Sequence, residues 1–109
     1  MEILPIRVIA NDSNVSAMVI DGNMCAAIAE MDMTKDDDEY WWLARLNVKP
    51  KYQKKGYGRL LVQKLKENAR GIKILVAPGG YGTDPEVQFA FYRACGFVDQ
   101  EDGTMILAT

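Results

Sequence analysis

The apolar positions of the chain change period along its length, and the changes divide it into elements. Ile3 to Ala10 is apolar and β-branched but broken by Pro5, which predicts a short edge strand. Asn11-Asp12-Ser13-Asn14 is a turn cluster. Val15 to Ile20 predicts a second strand, and Asp21-Gly22-Asn23 is a hairpin signal. Met24 to Met33 reads as a third strand, with Glu30 as the charge set among its apolar residues. Thr34 to Glu39 is a polar, acidic loop. Tyr40 to Val48 is a fourth strand, apolar enough to be central and covered on both faces.

From Arg59 to Ala69 the period becomes helical. Leu60, Leu61, Leu65 and Ala69 share one face, and Gly71 is the expected stop. Ile72 to Val76 is a short apolar strand. A strand–helix–strand order makes a right-handed crossover between parallel strands. Pro78 to Thr83 is a Gly-rich loop. Asp84-Pro85-Glu86 combines an N-cap, a proline at the first helical position and an acid at the second, so a helix is predicted over Pro85 to Cys95, ended by Gly96. That helix is apolar nearly all round, which predicts cover on more than one side or a place along a ligand cleft. Phe97-Val98 opens a strand, Asp99 to Gly103 is a turn, and Thr104 to Leu107 is the closing strand. The sum is one α+β domain over residues 1–109: a mostly antiparallel mixed sheet carrying two main helices.

Composition narrows the function. The 109 residues are 49% hydrophobic, with no run near the ~18 apolar residues of a membrane span and no signal peptide. Cys25 and Cys95 lie far apart in unlike contexts, which fits reduced thiols and a cytoplasmic setting. The absence of histidine argues against a zinc site and removes the usual general base. A net charge of −2 speaks against nucleic acid as a partner. The charge is uneven: Asp36-Asp37-Asp38-Glu39 is acidic, and Lys49 to Arg59 is basic.

That basic stretch sits where chemistry is expected. An apolar strand ends at Val48, a glycine turn follows, and a helix opens. Such an order aims backbone N–H groups and a helix N-terminus at one anion. The Walker spacing and the dinucleotide fingerprint both fail at Gly58-Arg59-Leu60. Gln53-Lys54-Lys55-Gly56-Tyr57-Gly58 instead fits [QR]-x-x-G-x-[GA], preceded by Leu46, Val48, Pro50 and Tyr52. The stretch resembles the pyrophosphate motif of the GNAT acyltransferase superfamily, which holds coenzyme A. Phe91-Tyr92-Arg93-Ala94-Cys95-Gly96-Phe97 resembles a second signature of that family, F-Y-x-x-x-G-F.

The resemblance implies acetyl-CoA as cofactor and direct transfer of its acetyl group to a primary amine of a small molecule or protein. It implies a V-shaped splay between the fourth and fifth strands, opened by a bulge in the fourth; Leu43, Leu46 and Val48 do not keep period two, as a bulge requires. It assigns the pyrophosphate to backbone around Gln53, Lys54, Lys55, Gly56, Tyr57, Gly58 and Arg59, and the pantetheine to Leu46, Asn47 and Val48. Tyr92 becomes the acid at the sulfur. Glu39 and Glu30 are the candidate bases, while Trp41 and Trp42 are candidates for an acceptor pocket.

The chain departs from the family at two places. Pro85 stands where an Asn often contacts the cofactor. Only Asn11 to Asn14 separate the first two strands, where the family has two helices over the acceptor. The acceptor side is then more open, or completed by a second subunit or a protein partner. The competing expectation is a non-catalytic module that binds acyl-CoA or a partner protein.

Overall fold

The computed structural model describes residues 4–33, 40–78 and 84–109. Its elements are β1 (Ile6–Ala10), β2 (Asn14–Asp21), β3 (Met24–Met33), β4 (Tyr40–Val48), a 3₁₀ turn (Pro50–Tyr52), α1 (Tyr57–Glu67), β5 (Lys73–Val76), α2 (Pro85–Ala94), β6 (Val98–Asp99) and β7 (Met105–Leu107). The strands form one mixed sheet in the order β1-β2-β3-β4-β5-β7-β6. Every pairing is antiparallel except β4–β5, which is parallel, as the crossover requires. This is the expected α+β architecture.

Both helices cover the same face. On α1, Leu61, Val62 and Leu65 are buried against Val15, Ala17 and Val19 of β2 and Ala27, Ala29 and Met31 of β3. The small residues Ala17, Ala27 and Ala29 let the helix approach the sheet closely. Trp41 fixes the far end of α1: its indole N–H donates to the Ala69 carbonyl at 3.1 Å, and Arg70 lies over its ring. The end of α2 reaches the same face beside Leu107, which pairs with Ile74 and through it with Trp41.

Three expectations change at the element level. The first strand begins at Ile6, after Pro5 rather than across it, and Ile3 lies outside the described residues. Helix α1 starts at Tyr57, two residues before Arg59, because Gly56 at φ +87° turns the chain directly into it. Helix α2 is covered on one side, where Tyr92 is buried, whereas Val87 is 60% exposed. Of its two expectations, cover on more than one side therefore fails and a place along a cleft stands, since Ala94 at its end lines a groove.

The fourth strand carries the expected bulge. Glu30 pairs with Arg45 but Met31 pairs with Leu43, which leaves Ala44 as the extra residue on β4. The bulge puts Leu43, Leu46 and Val48 on the helix-covered face although they break period two. It also ends the pairing with β5, which runs only from Tyr40 to Trp42. Beyond Trp42 the two parallel strands part.

Candidate functional site

The parted strands leave β4 with an open edge, and its residues can be assigned to sides. Lys49 donates its N–H to Ala26 of β3. Strand alternation therefore turns Asn47 toward β3 and turns the N–H and C=O groups of Leu46 and Val48 toward the gap. The Val48 carbonyl agrees, since it accepts a bond from the Gln53 side-chain amide at 2.9 Å rather than from a strand. Of the sequence-assigned trio, Leu46 and Val48 thus offer backbone to the gap, whereas Asn47 is consumed in the ladder.

The glycine turn sits at the end of this edge. Lys54 and Gly56 both have positive φ, +63° and +87°. Alternating handedness of this kind makes successive N–H groups converge. No side chain caps α1, and among the described residues the first helical N–H to find a partner within the chain is that of Leu60, bonded to Gly56. The N–H groups of Tyr57, Gly58 and Arg59 are left for a ligand. Lys54, Lys55 and Arg59 are exposed around them, and Tyr57 turns its ring inward to an edge contact with Tyr52. Gly58 is closely packed. A Cβ there would meet the Phe91 ring at 3.1 Å and Val48 at 3.7 Å. The free donors, the positive charge and the close backbone approach fit a pyrophosphate. A groove of ≈ 390 Å³ continues from Gly56 and Arg59 between α1 and the end of α2, with Lys66 and Cys95 on its walls.

Phe91 ties α2 to the turn, and the next residue, Tyr92, is buried in the core beside it. The Tyr92 ring stands edge-on to Phe91 and Phe97, with centroids 5.2 and 5.3 Å away. Its pKa is pushed up to about 12, first by burial and then by neighbouring Cys95. It is a neutral phenol at ordinary pH, and the same burial makes it a weaker proton donor than an exposed tyrosine. Cys95 is half-buried at the end of α2, and burial raises its pKa against the opposing effect of Arg59. It is therefore a thiol and not a poised nucleophile.

Glu30 lies on the face opposite the helices, beside the bulge. Its carboxylate is 3.3 Å from Arg45 and accepts a long bond from Ser16. Glu39 lies outside the described residues. Trp41 is fully buried as a core residue; Trp42 is half-buried on the Glu30 face. One supporting contact has no local signature in the sequence. The Tyr52 hydroxyl donates to the Asp21 carboxylate and so ties the approach to the glycine turn to the β2–β3 hairpin.

The strands of a mixed α+β sheet thus part beside an uncapped basic turn. The chain belongs to the GNAT acetyltransferase family, whose domain matches residues 12–99. No curated protein matches it. Among solved structures it is similar to a proposed streptothricin acetyltransferase from Bacillus anthracis in complex with acetyl coenzyme A. That likeness has a TM-score of 0.75 and 17% identity, over 93% of this chain and 65% of the other. It is also similar to a proposed GNAT acetyltransferase from Desulfovibrio desulfuricans, with a TM-score of 0.73 and 18% identity over 88% and 69%. The chain thus spans about two thirds of those proteins. The anti-CRISPR protein AcrVA5 is matched over nearly its whole length, 99%, at a TM-score of 0.65 and 18% identity.

Proposed function

We propose that the protein is an acetyl-CoA-dependent N-acetyltransferase acting on a primary amine. One observation carries the reading: the open edge of β4 and the unpartnered N–H groups of the α1 turn are continuous, so one elongated pyrophosphate-bearing ligand can use both. Acetyl-CoA supplies a thioester carbonyl. Backbone of Leu46 and Val48 orients its pantetheine arm, and the turn from Gln53 to Arg59 holds the pyrophosphate. Tyr92 holds a proton for the departing sulfur. Glu30 is the described carboxylate nearest the bulge in the strand pairing and is the base of this reading, directly or through water. The Gln53 amide, which bonds the Val48 carbonyl at 2.9 Å, would have to release it for the pantetheine to bond there. The free thiols Cys25 and Cys95 suit a cytoplasmic enzyme. Among the described residues no helix is long and apolar enough to cross a membrane.

The test is calorimetric titration with acetyl-CoA, CoA and ATP, followed by thiol-release assays with amines. Micromolar binding of acetyl-CoA without binding of ATP is expected, with turnover that falls in Glu30→Gln. The Glu30–Arg45 ion pair favours a second reading, a non-catalytic acyl-CoA-binding module, because it engages the proposed base. That reading expects the same binding and no turnover with any amine.

A further inference from the structure

β1 ends the sheet. It pairs with β2 along one edge, and among the described residues nothing pairs with the other. Arg7, Val8, Ile9 and Ala10 are exposed in succession, so the strand is open on both faces as well. The hydrogen-bond phase of the hairpin fixes which backbone groups are free. Ile20 donates to Pro5 and Asn11 donates to Asn14, and the register between them is unbroken. Pro5, Arg7, Ile9 and Asn11 therefore turn their backbone groups to β2, whereas Ile6, Val8 and Ala10 turn theirs outward. Edge strands are normally blunted by shortness, charge, proline or a bulge. The opposite edge is blunted: β6 has two residues, and its Asp99 is held by Arg93. β1 has five residues in regular register, with Arg7 as its one charge. Its Val8 and Ile9 are 36% and 52% exposed and point to opposite faces.

We infer that this edge binds a second copy of the chain, β1 to β1 and antiparallel, across a twofold axis at Val8. Self-complementarity carries the inference. With Val8 opposite Val8 of the partner subunit, Ile6 stands opposite the partner's Ala10, and Ala10 opposite the partner's Ile6. Every outward residue of both strands is then paired, each pair exchanging both N–H···O bonds. Charge selects this register over its neighbours. Centring on Arg7 sets the two guanidinium groups directly opposite each other, which is unfavourable. Centring on Ile9 leaves Ile6 without a partner. Centred on Val8, each Arg7 lies beside Ile9 of the partner subunit, and its aliphatic stem covers that exposed side chain. The twofold uses up the free edge of both copies, so assembly closes at two instead of growing into a fibre. β2 and β3 separate β1 from the parted strands, so both gaps stay clear and the dimer is independent of the acyl-transfer reading. A five-residue strand covers less than the ~800 Å² per side of a standard complex. The dimer is therefore reversible, with a Kd on the order of 10 μM.

The test is sedimentation of the whole chain, from about tenfold below that Kd to about thirtyfold above it. The single-chain mass is expected at the dilute end and twice that mass at the concentrated end. Val8→Pro removes the outward N–H at the twofold and spares the β1–β2 ladder. It should stay monomeric throughout and melt with the parent at the dilute end. Val8→Cys reads the register. The two Val8 Cα atoms of such a pair lie about 5.5 Å apart, within disulfide reach. Under copper-phenanthroline oxidation this variant should crosslink at least tenfold faster than the parent or Ala10→Cys, whose substituted positions lie at opposite ends of the strand pair. If Val8→Pro does not fold, the crosslinking rates decide. A monomer at every concentration, a dimer that Val8→Pro leaves intact, or crosslinking no faster at Val8 than at Ala10 overturns the inference. So does a mass that grows beyond two copies, because a closed twofold leaves no edge to extend.

Discussion

Gly56 and Gly58 are two residues apart and are needed for different reasons. Gly56 has open space where a Cβ would go, but its φ is +87°. An Ala there pays about 1–2 kcal/mol for the left-handed backbone, which for a domain of this size lowers Tm by roughly 5–10 °C. Gly58 has ordinary φ but faces the Phe91 ring at 3.1 Å. Gly58→Ala should therefore couple to Phe91→Leu by about 1 kcal/mol in a double-mutant cycle read by denaturant melts, while Gly56→Ala should not couple at all. Additive costs at Gly58 and Phe91 would mean that the two do not touch. Tyr92 gives a separate prediction. Tyr92→Phe should lower turnover about 10- to 100-fold, with acetyl-CoA affinity changed less than twofold. The tyrosine pKa is raised in the folded state from 10 to about 12. Its neutral form is therefore favoured by folding: that contribution is complete below pH 10 and is lost as pH rises toward 12. Stability should fall more steeply over that window in the parent than in Tyr92→Phe, measured by thermal melts.

At the scale of elements, the glycine turn depends on a strand hairpin far from it in sequence. Tyr52 belongs to the 3₁₀ turn between β4 and α1, and its hydroxyl bond to Asp21 holds that turn against the β2–β3 connection. Tyr52→Phe keeps the ring and its edge contact with Tyr57, so the fold should survive while acetyl-CoA affinity drops roughly three- to tenfold; calorimetry on Tyr52→Phe and Asp21→Ala should give the same loss. This contact also marks where sequence stops being informative. The hairpin at Asp21-Gly22-Asn23, the helix start at Asp84 and the turn at Gly56 are written in adjacent residues, so each was readable. The bulge was readable too, because Leu43, Leu46 and Val48 cannot share a face without an extra residue. Tyr52 and Asp21 are joined only by the fold and leave no local pattern. The same holds for Glu30, recognisable as a charge in an apolar strand but not as the partner of Arg45. Helix α2 was readable only as a choice between cover on two sides and a place along a cleft, since an apolar composition does not state what the residues face.

At the scale of the whole molecule, one inserted residue connects the core to the site. Ala44 shifts the β4 register so that Leu43 before it and Leu46 and Val48 after it all meet the helix-covered face. The same irregularity ends the β4–β5 ladder at Trp42 and frees the edge on which the pantetheine would lie. Deleting Ala44 removes the extra residue and restores period two without exchanging faces: Leu43, Leu46 and Val48 would still meet α1. What the deletion removes is the local bend of β4, so the strand could run on beside β5 past Trp42. The N–H and C=O groups of Leu46 and Val48 would then be free to extend the parallel ladder and be lost to a ligand. The deletion should therefore leave Tm within about 5 °C of the parent but weaken acetyl-CoA binding at least tenfold in calorimetry. Replacement by Ala44→Ser, which keeps the residue count on an exposed position, should leave both within error of the parent. If the deletion variant binds acetyl-CoA as the parent does, the bulge is not what opens the sheet, and the splay must originate in β5.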